Sequence, residues 1–350
     1  MSSLRVGLVG AGHISRTHLA AWRRAAGCTV VGLHDRDRDA ARVRADAFRI
    51  PSVAEDLDEL IEACDVVDVC TPPQSHAQIA LRVVEAGRHL LIEKPVVTEL
   101  ADWQQLRPEI ERRRVSLGVV HNLKFGRGVQ RALRWVAEGK IGRVLRLKRE
   151  FLTHPEADRM LVAERHWSHD LPGGRWFETL PHALYLTHAF AGALGLDHVA
   201  AFATPEAPSG APVDEVAITL RGHGCIATID YSAHCQANRR RLTVEGTEGA
   251  IEIDVLGDSA VLHRGRDAKW KRPWTAGLWE TGDVLAQWLP DRVGYLLDRA
   301  RGGTPHSRLI QGFALHLQGA GPNPTPLDEV DYVIRMSDSV GRAIDAARHG

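Results

Sequence analysis

The sequence has no excess of charge of either sign, and it is poor in lysine. Its 350 residues include 44 lysines and arginines against 44 aspartates and glutamates, so the formal net charge is zero. A balanced chain of this kind gives no electrostatic reason to expect binding to nucleic acid or to an anionic membrane surface. Most basic residues are arginines, and lysine occurs only at Lys94, Lys124, Lys140, Lys148, Lys269 and Lys271.

Cysteine and long apolar runs are also scarce. The five cysteines are widely spaced and odd in number, which is typical of reduced thiols in a cytosolic protein, so we expect a cytoplasmic location. No run approaches the ~18 apolar residues of a membrane span, and a first strand near Leu4 leaves no room for a signal peptide. The 18 histidines lack the spacing of zinc sites, so no metal is expected.

A glycine-rich turn follows the first apolar segment. The run from Leu4 to Ser15 reads LRVGLVGAGHIS, in which Gly10 permits a tight turn and Gly12 lets a pyrophosphate approach the backbone. The third glycine of this dinucleotide-binding pattern is replaced by Ser15. The pattern also expects an acidic residue roughly 20 residues downstream, and Asp35 stands at the end of the second predicted strand. A glycine turn in some other α/β protein is the alternative.

The first third of the chain alternates apolar strands with amphipathic helices. This alternation is typical of a doubly wound parallel sheet with right-handed crossovers, so an α/β Rossmann domain is predicted over residues 1–122. Asp35, Thr71, Lys94 and Asn122 follow the predicted strands. Because ligands bind beyond the carboxyl ends of such strands, we expect these residues to converge on one crevice.

The pattern changes from about Phe125. Alternating segments joined by short turns, such as Gly222-His223-Gly224, predict successive strands in a large, mostly antiparallel or mixed open sheet. Residues 123–350 are therefore predicted to form an α+β domain for substrate binding and oligomerisation. A long terminal helix is predicted over residues 328–348, and it can pack back on the first domain.

The sequence Glu93-Lys94-Pro95 ends a predicted parallel strand. Pro95 restricts Lys94 to extended geometry, which would project the lysine into the crevice. An ammonium group there can polarise a substrate hydroxyl or carbonyl and help to transfer its proton. A solvated surface role is the ordinary interpretation of a lysine, but the strand-end position and the rarity of lysine favour a catalytic one.

Glu178 and His182 are four residues apart in a predicted helix and so share one face. A carboxylate beside an imidazole orients the ring and raises its pKa, which suits removal of an alcohol proton as hydride leaves. An ordinary ion pair on a helix surface fits the spacing equally well.

Tryptophans accompany this motif and form a second group later in the chain. Trp167 lies just before the motif, where an aromatic face suits either the apolar side of a sugar ring or core packing. Trp270, Trp274 and Trp279 lie in a loop-like region. Three roles are open for this group: a lid, a contact between subunits, or internal packing.

These features together resemble the glucose–fructose oxidoreductase / inositol dehydrogenase / MocA family of NAD(P)-dependent oxidoreductases over the full length of the chain. Segments that match the family include Gly10-Ala11-Gly12-His13-Ile14 with His18, Thr71-Pro72-Pro73 with His76, Glu93-Lys94-Pro95, Gly139-Lys140-Ile141-Gly142, and Gly173-Gly174 with His182. Glu178 replaces a usual aspartate, and Tyr185 replaces a usual later aspartate. Asn122 begins a segment that resembles the segment on the substrate side of the family's site. In this segment Lys124 stands where the family commonly has arginine.

The resemblance implies hydride exchange between a nicotinamide and a secondary alcohol or ketone of a sugar, cyclitol or sugar nucleotide. It implies that Lys94, His182 and Glu178 are catalytic. The cofactor contacts are expected at Gly10, Gly12, His13, Ile14, Asp35, Arg36, Thr71, Pro72, His76, Glu93 and Lys94, and the substrate contacts at Asn122, Lys124, Trp167 and Tyr185. Two alternatives stay open: a family member that uses tightly bound NAD for oxidation–elimination or sugar–sugar exchange, and a non-enzymatic NAD-binding regulator.

The residue at the end of the second strand favours NAD. The Asp35 carboxylate repels a ribose 2′-phosphate, whereas the adjacent Arg36 could meet that phosphate and keeps NADP possible. The expected partner is a small sugar-like substrate, with no nucleic acid and no membrane. The resemblance also implies a homodimer or homotetramer, for which the uncovered face of the second sheet could provide an interface.

Overall fold

A computed structural model describes residues 3–154, 167–205, 213–236, 238–264 and 276–348. The chain divides into two compact units: the first holds Met1–Asn122 and Gly303–Arg335, and the second holds Leu123–Gly302 and Met336–Gly350. The sequence-based division assigned all of residues 123–350 to the second domain. The structure instead groups Gly303–Arg335 with the first unit.

Strands and helices are numbered here along the chain. The strands are β1 Leu4–Val9, β2 Cys28–His34, β3 Val66–Val69, β4 His89–Ile92, β5 Leu117–Val119, β6 Val144–Leu152, β7 Gly195–Phe202, β8 Glu215–Gly222, β9 Cys225–Ser232, β10 Arg239–Gly246, β11 Gly249–Asp254 and β12 Ser259–Arg264. The helices are α1 Ser15–Trp22, α2 Arg38–Phe48, α3 Leu57–Ala63, α4 His76–Glu85, α5 Leu100–Arg113, α6 Arg127–Ala137, α7 Arg175–Ala191, α8 Ala276–Ala300, α9 Pro305–Leu317 and α10 Leu327–Arg348.

The first unit is built on a parallel sheet with the strand order β2-β1-β3-β4-β5. The strand order reverses between β1 and β3, which is where this topology opens a ligand crevice. Val66–Val69 is buried along its whole length, and so is most of His89–Ile92. Such continuous apolar strands are expected because helices cover both faces of a parallel sheet.

Two late segments complete the core of the first unit. Val330 and Ile334 of α10 join the apolar cluster around β3 and β4. Phe313 of α9 lies against Gly118 of β5, where an added Cβ would lie 2.8 Å from the phenylalanine ring. Gly118 therefore allows a close approach that no larger residue permits, and α9 packs directly on the sheet.

Side-chain caps set the start of helices in the first unit. The Asp37 carboxylate accepts hydrogen bonds from the N–H groups of Asp39 and Ala40 at 3.1 and 3.0 Å, which places the N-cap of α2 two residues after Asp35. Thr304 and Ser307 form a reciprocal capping box at the start of α9. Caps of this kind are typically worth about 1 kcal/mol, so both helix positions are encoded locally.

The second unit contains a mixed sheet with the strand order β12-β11-β10-β6-β9-β8-β7. Its neighbouring strands are antiparallel except for β6 and β9, which pair in parallel. Together with the parallel sheet of the first unit, this confirms the predicted α/β class with a large mixed second sheet.

One face of this sheet is packed on α7 through aromatic rings. Phe151 of β6 and Tyr231 of β9 are in register, and the Trp176 ring of α7 stacks on Tyr231 with centroids 5.0 Å apart. The opposite face is charged, with Lys148 lying 3.5 Å from Glu150 and 3.6 Å from Asp230. The aromatic contacts therefore hold α7 against one side of the sheet.

Helix α8 exposes a row of large apolar side chains. Leu285, Leu289, Val293 and Leu296 are each at least half exposed. No helix among the described residues is both long enough and apolar enough to cross a membrane.

Candidate active site

The glycine turn between β1 and α1 is a cradle shaped by two different glycines. Gly10 has φ +105°, and an added Cβ would lie 2.9 Å from the carbonyl carbon and oxygen of Cys70. An added Cβ at Gly12 would meet nothing within 4 Å. Gly10 is therefore needed by the fold itself, whereas Gly12 keeps an open face of backbone. These residues fit the pyrophosphate of a dinucleotide.

Asp35 locks this turn to the end of β2. Its Oδ2 accepts the N–H of Ala11 at 2.6 Å, and its Oδ1 accepts the N–H of Asp37 at 2.8 Å. Arg44 of α2 donates to the carbonyl oxygens of Ala11 and Gly12 at 3.1 and 3.2 Å. The acidic residue expected to contact a ribose is thus fixed in place by backbone groups.

The remaining predicted contacts near the turn have different exposures. His13 and Arg36 are exposed, and Ile14 is half-buried. These three side chains border the turn rather than the core, so a bound dinucleotide can reach them.

Three strand ends meet at one edge of the first sheet. The N–H of Cys70 donates to the carbonyl of Val9 at 2.8 Å, and the N–H of Glu93 donates to the carbonyl of Val69 at 3.0 Å. The glycine turn, the segment that begins at Thr71 and the Glu93-Lys94 pair are therefore neighbours, as the alternation of strands and helices predicts.

His76 holds two of these segments together from inside the fold. Its ring is fully buried, with Nε2 lying 2.8 Å from the Thr71 carbonyl oxygen and Nδ1 lying 2.8 Å from that of Pro95. Burial lowers the pKa of His76, although both carbonyls oppose this. The predicted cofactor contact is thus a side chain that fixes the Thr71-Pro72 segment, and Thr71 Oγ1 accepts a hydrogen bond from Ser75 at 2.8 Å.

His18 of α1 lies buried between two carboxylates. Its Nδ1 lies 2.9 Å from Asp68 Oδ2, and its Nε2 lies 3.1 Å from Glu93 Oε1. The indole N–H of Trp22 also donates to Asp68 Oδ2 at 2.7 Å. Burial opposes a charged imidazole, but the Asp68 carboxylate outweighs burial and the pKa of His18 is raised well above its usual value. His18 is therefore an imidazolium that bridges β3 and β4.

Glu93 connects this buried network to Lys94. Its Oε2 accepts the backbone N–H of Lys94 at 3.1 Å, and the peptide bond between Lys94 and Pro95 is cis. Burial acts to raise the pKa of Glu93, but the hydrogen bond and charge of His18 outweigh it and lower that pKa to about 2. His306 of α9 lies 3.9 Å from Glu93, and burial lowers the pKa of His306 to about 4 despite that carboxylate.

Sequence reasoning missed most of this network. Asp68 and His306 were not singled out, and His18 entered only through the family resemblance. A carboxylate within the apolar strand Val66-Val67-Asp68-Val69 is a signal that was available, because a buried charge needs a partner.

A short 3-10 turn over Asn122–Phe125 carries the two predicted substrate residues of this region. Lys124 is 9% exposed, and its Nζ lies 5.6 Å from the centroid of the Phe125 ring. Its carbonyl accepts a hydrogen bond from Gln130 of α6 at 2.8 Å. The turn is therefore held by a hydrogen bond to its backbone and by a contact between the lysine and an aromatic ring.

In the second unit, two glycines set the start of α7. Gly173 and Gly174 have φ +70° and +64°, and an added Cβ at Gly173 would lie 3.1 Å from Gly341 of α10. The N–H of Gly173 also donates to the Asp345 carboxylate at 3.1 Å. The double glycine thus fixes the helix that carries Glu178, His182 and Tyr185.

His182 and Glu178 of α7 each contact a neighbouring side chain on the same helix. Nδ1 of His182 lies 2.7 Å from Oη of Tyr185, which also accepts the N–H of Leu123 at 3.0 Å. Glu178 Oε2 lies 3.3 Å from Nη1 of Arg175, and it accepts a hydrogen bond from Thr179 Oγ1 at 3.3 Å. The His182–Tyr185 contact, between residues three apart, was not foreseen from the spacing of Glu178 and His182.

Some predicted aromatic residues lie outside the described part of the chain. Trp167 begins a 3-10 turn, but its side chain is not among the described residues. Trp270 and Trp274 lie entirely outside the described residues. Trp279 belongs to α8, but its side chain is not described.

Comparison with known proteins gives the class. Residues 4–121 match the family model described as "Oxidoreductase family, NAD-binding Rossmann fold", and residues 129–252 match the model of the GFO/IDH/MocA C-terminal domain. The chain belongs to the GFO/IDH/MocA oxidoreductase family, and its first unit is an NAD-binding Rossmann domain.

Individual relatives are sugar dehydrogenases. D-apiose dehydrogenase of Paraburkholderia graminis is 33% identical over 137 residues, which cover 39% of this chain and only 36% of that relative. Levoglucosan dehydrogenase of Pseudarthrobacter phenanthrenivorans is 24% identical over 287 residues, which cover 72% of this chain and 73% of the relative. Among solved structures, the WlbA dehydrogenase of Bordetella pertussis in complex with NADH and UDP-GlcNAcA has a TM-score of 0.77 and 20% identity, covering 99% of this chain and 96% of that one. That likeness is one of fold.

Proposed function

We propose that this chain transfers hydride between NAD and a secondary alcohol or ketone of a sugar, cyclitol or sugar nucleotide. The observation that carries the proposal is in the first unit, where Lys94 follows the strand beside the open glycine cradle. Relatives named for D-apiose and levoglucosan support the sugar-like class of substrate.

The cofactor would be held by the turn and the strand ends around it. Gly12 would let the pyrophosphate approach, and Asp35 would accept hydrogen bonds from the adenosine ribose. The other residues proposed to border the cofactor are Gly10, His13, Ile14, Arg36, Thr71, Pro72, His76, Glu93 and Lys94. When bound, the nicotinamide supplies or takes up the hydride. Asp35 favours NAD over NADP because its carboxylate repels a 2′-phosphate.

Lys94 and His182 would assist transfer of the substrate hydroxyl proton. Lys94 orients and polarises the reacting oxygen, and His182 takes the hydroxyl proton during oxidation and returns it during reduction. Acid–base help of this kind is typically worth about 10²–10⁴-fold in rate. Glu178, whose carboxylate lies 3.3 Å from Arg175, is proposed to tune His182. Asn122, Lys124, Trp167 and Tyr185 are proposed to border the substrate.

We also propose that the protein forms a homodimer or homotetramer. The exposed apolar row of α8 supports association, since contiguous apolar surface on a globular protein usually marks a contact site. Light scattering of the purified chain tests this proposal, and a monomer across the micromolar range would contradict it.

The catalytic proposal is tested by a panel of sugars, sugar acids, cyclitols and nucleotide sugars with NAD and with NADP, followed by nicotinamide absorbance. Saturable reduction of NAD by at least one polyol is the expected result. Turnover of a sugar without net change in absorbance would instead favour the use of tightly bound NAD for elimination or exchange. Saturable NADH binding without any turnover would favour a regulator.

A further inference from the structure

His182 contacts a buried phenol. Nδ1 of His182 lies 2.7 Å from Tyr185 Oη, and the two rings meet edge to face with centroids 5.6 Å apart. Tyr185 is 0% exposed, so bulk water does not compete for its hydroxyl group. The contact joins residues three apart on α7, which share one face of the helix.

The backbone of Leu123 limits what this hydroxyl can do. The N–H of Leu123 donates to Tyr185 Oη at 3.0 Å, so it occupies one of the two acceptor positions of the oxygen. A phenol oxygen also carries a second lone pair and its own proton. It can therefore accept a hydrogen bond from a protonated Nδ1 and can equally donate to a bare Nδ1. A carboxylate at this place could only accept.

We propose that Tyr185 is the positioning residue of His182 and lets this histidine act as base and as acid without reorienting. This inference rests on the proposed function. In oxidation, the substrate hydroxyl gives its proton to Nε2 of His182 while its carbon gives hydride to the nicotinamide, and Nδ1–H donates to Tyr185. In reduction, Nε2 returns the proton to the oxygen as hydride arrives at carbon. The phenol itself neither gains nor loses a proton.

A buried cation lies on the sheet against which α7 packs. Arg149 of β6 is 2% exposed, and its Nη1 donates to the carbonyl oxygens of Glu150 and Arg241 at 2.7 and 3.1 Å. Burial lowers the pKa of Arg149 to about 10, and the phenols of Tyr231 and Tyr185 oppose this shift.

Other titratable groups lie on α7 and on the elements packed against it. They are Arg175, Glu178 and His188 on α7, Tyr231 on β9, His169 and Asp170 in the turn before α7, and Arg127, Arg131 and Arg134 on α6. Glu178 is an acidic residue that could position His182 in place of Tyr185. Its carboxylate already lies against Arg175 and Thr179, which offsets its charge.

Nitrogen-15 NMR of the histidine rings tests the inference without cofactor. The His182 signals are assigned by their loss in His182→Gln, and they are titrated in wild type, Tyr185→Phe, Tyr231→Phe and Glu178→Gln. Tyr231→Phe is a matched control, because this second buried tyrosine of the unit has a hydroxyl without a hydrogen-bond partner among the described residues. Tyr185→Phe should shift the His182 Nδ1 signal and its titration midpoint, whereas Tyr231→Phe should leave both unchanged.

A carboxylate variant gives the direction of the effect. Tyr185→Asp should move the His182 midpoint upward by about one pH unit or more, since a carboxylate stabilises imidazolium. The acid limb of the pH profile of kcat should also move to higher pH, while KM changes little. Wild-type signals identical to those of Tyr185→Phe, or a response to Glu178→Gln alone, would overturn the inference. Full activity of His182→Gln would instead refute the catalytic role of His182 and leave the NMR result valid.

Discussion

His18 Nε2 lies 3.1 Å from Glu93 Oε1, which joins the first helix after the glycine turn to the strand end that carries Lys94. Because Asp68 lies on the other side of the same ring, the contact is one half of a carboxylate–imidazolium–carboxylate arrangement. Buried charges are tolerated only when they are paired and hydrogen-bonded. We therefore regard this network as the rigid support beneath the proposed catalytic lysine.

Glu93→Gln should weaken the first unit in a pH-dependent way. The pKa of Glu93 is lowered to about 2, so the stabilisation is present above the usual carboxyl pKa near 4.5 and is lost as the pH falls towards 2. We expect a loss on the order of 3 kcal/mol at pH 7, which shrinks in acid. Urea unfolding across this pH range measures it. Asp65→Asn, which breaks the exposed Arg5–Asp65 pair, is the control and should cost clearly less, because exposed ion pairs contribute little to stability.

His306→Gln should remove part of the acid sensitivity of the protein. Burial lowers the pKa of His306 to about 4, so the unfolded chain takes up this proton between about 6.5 and 4 before the folded chain does. Wild-type stability therefore rises with pH across this window. The variant should show a flatter dependence of unfolding free energy on pH from 4 to 6.5. An unchanged slope would mean that His306 does not titrate as its surroundings indicate.

The two glycines of the cradle should respond differently to alanine. Gly10→Ala places a Cβ against the Cys70 carbonyl at a positive φ, so both the melting temperature and NADH binding should fall. Gly12→Ala meets no neighbouring atom, so the fold should be unchanged while NADH affinity drops about 10-fold or more. Calorimetric titration and thermal melts measure both. Wild-type affinity in Gly12→Ala would place the pyrophosphate elsewhere.

Asp35→Asn should relax the choice of cofactor. Removing the negative charge ends the repulsion of a 2′-phosphate, so the ratio of the Kd values for NADP and NAD should fall about 10-fold. Asp37→Asn is the matched control, because asparagine caps a helix as well as aspartate does and the residue is only two positions away. An equal change in the ratio for both variants would show a general charge effect rather than a role of Asp35.

Much of the first unit could be predicted from sequence, because its signals are local. A glycine turn, alternating apolar strands and the position of Asp35 and Lys94 after strands all follow from short-range patterns. The alternation of residues in β6, Val144–Leu152, is a local signal of the same kind. By contrast, β7 and β12 were not predicted. The edge strand β7 is largely exposed, so its residues carry little of the apolar alternation that identifies a strand.

The candidate site was harder to predict where contacts are distant or depend on side-chain direction. His18 and Asp68 are fifty residues apart, and only the sheet order brings them together. Glu178 and Tyr185 both share a helix face with His182, at spacings of four and three residues. Periodicity cannot choose between them, because the choice depends on the buried ring of Tyr185 and the Leu123 amide. Gly303–Arg335 belongs to the first unit although it is distant in sequence from residues 1–122, so no short-range pattern could predict its place.

Lys94 is proposed to take part in the chemistry without being required for binding of the cofactor. Lys94→Ala and the control Lys140→Ala, an exposed lysine 3.5 Å from Glu138, are compared for hydride transfer and NADH binding with a substrate found in the panel. We predict that Lys94→Ala lowers kcat about 10²-fold or more, with NADH affinity close to that of wild type. Turnover of Lys94→Ala equal to that of Lys140→Ala would contradict the account.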